Sequence, residues 1–132
     1  MSASPNFAAS PRISSAAIST ANPNRNGSGT IGDVLLAGAN GSRIDSVCIK
    51  ATAATTAGMI RLFVNNGSTS VLVAEVPVTA ITPSATTPSY QAVVSGVSNP
   101  DLFPLVLPTG YKFQAATEKA ESFNVIAIGG DF

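Results

Sequence analysis

Apolar residues in this chain never recur with the 3.6-residue period of a helix for more than two turns. From Thr30 onward, short β-compatible segments instead alternate with turn residues at intervals of about ten. Such a chain has to bury its apolar side chains between sheets. The segments at residues 30–37, 43–51, 59–65, 70–78, 90–94, 103–110, 111–117 and 122–128 each read as a strand. Between residues 59 and 65 the alternation is clean, with Ile60, Leu62 and Val64 on one side and Met59, Arg61 and Phe63 on the other. Asn65-Asn66-Gly67 then predicts a hairpin turn into the next strand, where Pro77 marks an edge, a bulge or a strand end. In residues 43–51 strict alternation puts Arg43, Asp45, Val47, Ile49 and Ala51 on one face and Ile44, Ser46, Cys48 and Lys50 on the other. Both faces are then mixed, which predicts partial cover on both. Residues 111–117 and 122–128 read as a closing hairpin. The architecture expected is all-β: an antiparallel β-sandwich of jelly-roll type with eight or nine short strands, ahead of an up-and-down barrel.

The first 29 residues differ from the rest. Pro5, Pro11 and Pro23 stand among many Ser, Ala and Asn, a mixture that disfavours helix. The expected division is an extended N-terminal arm over residues 1–29 and a sandwich over residues 30–132. Ile13 and Ile18 could pin a short strand over residues 12–19. The arm reads either as a disordered tail or as a segment that orders only against neighbouring subunits, with Phe7 as its anchor. On the second reading Pro5, Phe7, Pro11, Ile13 and Ile18 are the candidate interface residues.

Composition narrows the chemistry. Charged residues are 11% of the chain, against roughly 25% in an ordinary soluble domain, and hydrophobic residues are 45%. No apolar run approaches the ~20 residues of a membrane-spanning helix, so no membrane partner is expected. The low charge suggests a surface covered in part by neighbours, since isolated domains keep more charge for solubility. Seven basic and seven acidic residues are scattered singly, and the basic stripe of a nucleic-acid binder is missing. Glu118-Lys119-Ala120-Glu121 reads as a solvated turn, and the single cysteine, Cys48, as a buried small hydrophobe. The N-terminus has neither a basic nor an apolar leader region, which points to synthesis and use without Sec export.

Histidine is absent, which removes the usual zinc donor set and the general base of a Ser-His-Asp or Cys-His arrangement. The seven carboxylates are Asp33, Asp45, Glu75, Asp101, Glu118, Glu121 and Asp131. A glycosidase would need two of them facing each other across a cleft. Gly27-Ser28-Gly29 and Gly38-Ala39-Asn40-Gly41 lack the Gly-Lys-Ser/Thr ending of a phosphate loop and read as tight turns. The expectation is a protein that is not an enzyme and takes no cofactor.

The blocks Ala37-Gly38-Ala39-Asn40-Gly41-Ser42-Arg43-Ile44-Asp45, Thr55-Thr56-Ala57-Gly58-Met59-Ile60-Arg61-Leu62-Phe63 and Leu105-Val106-Leu107-Pro108-Thr109-Gly110-Tyr111-Lys112 are distinctive, as is residues 121–132. Together they resemble a family of small proteins from the structural-gene regions of tailed bacteriophages. The resemblance covers about residues 12–132. Its motifs are turn and strand residues, so it carries over no active site. It implies a virion component made in the host cytoplasm. The leading expectation is a capsid cement (decoration) protein on the phage head. Its partners would be the major capsid protein and copies of itself in a homotrimer, with no nucleic acid or membrane. The alternative is a tail or neck component, in the form of a receptor- or glycan-binding β-sandwich.

Overall fold

The computed structural model describes residues 9–132, and every regular element within them is a β-strand. Nine strands follow in order: β1 (Ser10–Ile18), β2 (Gly32–Leu36), β3 (Ser42–Ala51), β4 (Gly58–Asn65), β5 (Ser70–Val78), β6 (Gln91–Ser95), β7 (Leu105–Leu107), β8 (Lys112–Thr117) and β9 (Phe123–Asp131). All named pairings are antiparallel. They form one sheet in the order β1-β9-β3-β6, with β7 also on β3, and a second in the order β2-β8-β4-β5. The molecule is a β-sandwich. Its pairings nest: β4 with β5 innermost, then β3 with β6, β2 with β8, and β1 with β9.

The innermost hairpin forms where the sequence places it. Gly67 adopts φ +101°, and the side-chain carbonyl of Asn65 accepts its N–H at 2.7 Å. Asn66 Oδ1 accepts from the N–H groups of Ser68 and Thr69, closing the turn with its own side chain. Pro77 falls on β5, an edge strand, where a missing N–H costs no ladder bond.

Between the sheets lies a core of aliphatic and aromatic side chains. Ile60, Leu62, Phe113 and Ala115 from one sheet meet Val47, Ile49, Phe123 and Val125 from the other, all essentially without solvent contact. Burying each of the larger ones stabilises the fold by about 1.5–3 kcal/mol. Tyr90 packs edge-on against Phe123, with ring centroids 6.3 Å apart. Its hydroxyl donates to the carbonyl of Pro77, and burial pushes its pKa up.

Two expectations need correction. Strand β3 does not alternate strictly, because a bulge interrupts its register with β9 between Ile44 and Ser46. The extra residue, Asp45, shifts the phase by one. Ile44 therefore joins Val47, Ile49 and Ala51 on the inner face, and Arg43 joins Ser46, Cys48 and Lys50 outside. Over residues 44–51 the inner face is apolar rather than mixed, with the buried Ser42 at its end. Opposite the bulge stands Gly129, where the backbone carbonyl of Arg43 leaves no room for a Cβ. Residues 111–117 and 122–128 are strands but not a hairpin. Strand β8 pairs with β2 and β4, β9 pairs with β1 and β3, and the turn between them crosses from one sheet to the other.

The expected arm enters the fold. Strand β1 pairs with β9 along nine residues, from Ser10 opposite Asp131 to Ile18 opposite Phe123. Ile18 is part of the core. Residues 10–18 are thus an edge strand of the sandwich, and the segment that follows is a strap over its other side.

Candidate functional site

Each sheet has an outer face, and the two are finished differently. On the sheet β2-β8-β4-β5, alternation sends Arg61 and Phe63 of β4 and Gln114 and Ala116 of β8 away from the core. All four are nevertheless buried. The connection between β1 and β2, residues 19–31, reaches this side at several points. Ala21 bridges to Thr117, and the Asn22 N–H donates to the Thr117 carbonyl at 2.8 Å. The Asn22 side chain, itself buried, donates to the carbonyls of Ser28 and Thr30 and accepts from the N–H of Asn24. One asparagine thus holds the strap in a closed loop. Gly27, at φ +84°, lies so close to the Ser70 carbonyl on β5 that no Cβ fits.

Charge fastens the strap. The Arg61 side chain is only 3% exposed, with Nε 3.1 Å from Glu75 and Nη2 3.5 Å from Glu118. Its Nη1 donates to the carbonyl of Asn22. From the strap, Arg25 reaches the same Glu75 oxygen at 2.8 Å. Arg25, and then Arg61, hold the Glu75 carboxyl below the usual glutamate range. Glu118 is therefore not part of a free solvated turn: it closes the cluster around a buried guanidinium. Glu121, in the same turn, accepts from the N–H and hydroxyl of Thr56 through Oε2, while its Oε1 is buried without a partner.

Among the described residues, nothing covers the exposed side chains on the outer face of the sheet β1-β9-β3-β6, and the strand registers lay its side chains out in rows. One row runs Ile13, Ile128, Ser46, Ser95. The next runs Ser15, Ile126, Cys48, Val93, and the third Ala17, Asn124, Lys50, Gln91. At the β7 end Pro11, Gly130, Arg43 and Val106 form a fourth. Ile13 is 72% exposed, and Val93, Val106 and Ile128 are exposed as well. The charges in these rows are Lys50, which donates to the Ser89 carbonyl, and Arg43, which pairs with Asp45 at 2.7 Å. Ile13, Ile126 and Ile128 adjoin across β1 and β9, with Val93 and Val106 standing apart among Ser, Asn, Gln, Lys and Arg. An exposed aliphatic patch on a sheet face marks a contact surface more often than ordinary scatter.

The five candidate interface residues fall in different places. Pro11 and Ile13 stand on the open face at its β1 edge. Ile18 does not: it is core. Pro5 and Phe7 lie outside the described residues. Cys48, expected in the interior, lies on the outward side of β3 with intermediate exposure, opposite in phase to the buried Val47 and Ile49. The residues that sequence reasoning missed are Ile126, Ile128 and Val93. For Ile126 and Ile128 a signal was present in β9, where Phe123, Val125 and Ala127 alternate with Asn124, Ile126 and Ile128, so that both sets carry aliphatic residues.

For chemistry the arrangement offers little. Asp33 is held below the usual aspartate range by the Gln114 amide, then by Lys112, and Asp131 by the Ser42 hydroxyl, then by Arg12. These are ionised acceptors that tie strands together. Glu75 and Glu118 converge, but on a guanidinium rather than across a cleft. A small cavity of about 110 Å³ beside the end of β1 is lined by residues such as Ile18, Thr20, Thr30 and Ala116, none of its lining charged. It is well short of the roughly 300 Å³ of a small-molecule pocket. Among the described residues, no group of three or more carboxylates or cysteines is placed to hold a metal ion. No helix there is long and apolar enough to cross a membrane. Comparison with protein-family models, with curated proteins and with solved structures finds no match to this chain.

Proposed function

We propose that this chain is a virion structural protein, and that it serves as a cement protein of a phage head, bound at the joints between capsomers with copies of itself beside it. The observation that carries this reading is the open face: an aliphatic, nearly uncharged sheet surface on a body whose other face is closed by its own chain. Such a surface suits a protein that works among neighbours. The strand orders β1-β9-β3-β6 and β2-β8-β4-β5, with their nested pairings, support a sandwich of jelly-roll type. The resemblance of the turn and strand blocks to phage structural proteins supports the setting in a virion.

A cement protein stabilises a shell because it binds the assembled lattice in preference to loose subunits, so stability rises with occupancy. The capsid contact is assigned to the N-terminal segment and the β1 edge, and the closed ring of copies to a trimer. Quantified protein bands from purified particles test the reading. Hundreds of copies per particle support the head, whereas a dozen or fewer would move the chain to the tail or neck, and absence would remove it from the virion. Heat resistance of shells then tests the arm. Because β1 begins at Ser10, the informative truncation removes residues 2–8 and leaves the sandwich intact. Equal protection by truncated and full-length protein would exclude the arm as a shell contact.

A further inference from the structure

The two central rows of the open face carry a size pattern that bears on what covers it. In the row Ile13, Ile128, Ser46, Ser95 the two large side chains are on β1 and β9 and the two small ones on β3 and β6. In the row Ser15, Ile126, Cys48, Val93 the order is small, large, small, large. In the last row Gly130 on β9 stands beside Arg43 on β3. In the two central rows each large side chain has its small counterpart at the mirror position across the line between β9 and β3; toward the ends of the face Pro11 mirrors Val106 and Asn124 mirrors Lys50.

We propose that the open face pairs with the same face of a second copy of this chain, about a two-fold axis that lies in the interface, parallel to the strands, between β9 and β3. Such an axis lays β1 of one copy over β6 of the other and β9 over β3, and keeps the strand directions aligned as packed sheets prefer. Ile13 then meets Ser95, Ile128 meets Ser46, Ile126 meets Cys48, and Val93 meets Ser15. Lys50 meets the amide of Asn124 rather than another Lys50, so no like charges are opposed. Self-complementarity in size, with no like charges opposed, suits an isologous contact and favours a second copy over an unrelated partner.

The area is sufficient for a reversible pair. Four strands about 4.8 Å apart and nine residues of about 3.3 Å rise span roughly 500–600 Å². Two such faces bury about 1,000–1,200 Å², at the lower end of specific interfaces. The pair therefore forms as concentration rises, as it does when copies are held side by side on a lattice. It is a contact distinct from the ring proposed above, since a trimer closes through head-to-tail surfaces.

Sedimentation equilibrium of the full chain, from micromolar to millimolar concentration, tests the proposal. The mass is expected to double with concentration, from one chain to two or from a ring to a doubled ring. Ile13→Lys and Ser95→Glu, both at the solvent side of the sheet, each raise the dissociation constant by about tenfold or more. An equimolar mixture of the two variants regains the affinity lost by either. Ile13 and Ser95 sit on opposite edge strands of one sheet, so the mixture recovers only across copies. Unchanged melting of each variant excludes misfolding as the cause. A mass that does not depend on concentration, variants that associate like the parent, or a mixture no tighter than its components would each overturn the pairing. So would pairing that appears only after deletion of residues 2–8, which would make that segment the occupant, or Cys48 shielded from thiol reagents only on particles, which would assign the face to the shell. The inference rests on the assembly reading only for its setting: absence from particles defeats that reading alone, and a chain that never pairs defeats this one alone.

Discussion

The two outer faces of the sandwich are built from the same kind of strands, yet one is closed by the chain itself and the other is open. On the β2-β8-β4-β5 side the strap of residues 19–31 engages the guanidinium of Arg61, and Phe63 and Ala116 beside it are buried. Over β9 and β3 nothing in residues 9–132 does the same for Ile13, Ile128 and Val93. The difference shows how a charge-poor chain handles surplus apolar surface. Where the cover is intramolecular, buried polar groups fix it: Arg61 between two glutamates, and Asn22 with its hydrogen bonds filled. Where no described residue covers the sheet, the face carries no buried ion pair; under the proposed pairing of copies this spares a buried charge from having to find its partner at every encounter.

The sharpest test sets Phe63 against Ile126, both outward on their sheets. Phe63→Ala should destabilise the fold by about 3–5 kcal/mol, as truncation of a fully buried aromatic does. Ile126→Ala should cost about 1 kcal/mol or less in dilute solution, since its neighbours cover it only in part. Urea unfolding of both variants measures the contrast, and equal losses would erase the distinction between the faces.

Arg61→Ala comes next, at about 2–3 kcal/mol, because it removes a buried guanidinium and leaves Glu75, Glu118 and the Asn22 carbonyl without it. Limited proteolysis should then cut within residues 19–31 before anywhere in the sandwich. Resistance there would mean that the strap is held by packing alone.

Acid should separate the faces without mutation. The Glu75 pKa lies below its unfolded value, so its contribution is fully present above about pH 4.3 and is lost as pH falls through the lower folded value. Hydrogen exchange from about pH 5 downward should therefore deprotect the strap before β3 and β9. Simultaneous deprotection would show that the strap and sandwich open as one unit. The smallest effect on stability belongs to Ile13→Ser, within about 0.5 kcal/mol, measured by thermal melting at low concentration.

Much of the fold was legible locally. Turn residues at Gly38-Ala39-Asn40-Gly41 and Asn65-Asn66-Gly67, and alternation in residues 59–65 and 70–78, locate strands because they report on one segment at a time. The bulge at Asp45 was not legible, because a one-residue phase shift looks like a mixed strand until its partner Gly129 is in place. The strap was hidden for a similar reason: Asn22 and Arg25 act on Thr117 and Glu75, far along the chain. For the open face, the sequence held half the signal. Aliphatic residues in both sets of β9 announced surplus surface, but not which set faced the core.

By itself, then, the sequence determined an all-β chain, the position of nearly every strand, the innermost hairpin and a surface poor in charge. These follow from periods and turn conformations, which are properties of short segments. Only the tertiary structure decided that β8 and β9 part to different sheets, that residues 10–18 complete one of them, and that Cys48 and three aliphatic side chains stand on an uncovered face. Those outcomes depend on which strands pair and in what register, and pairing is settled by the burial of the whole core at once.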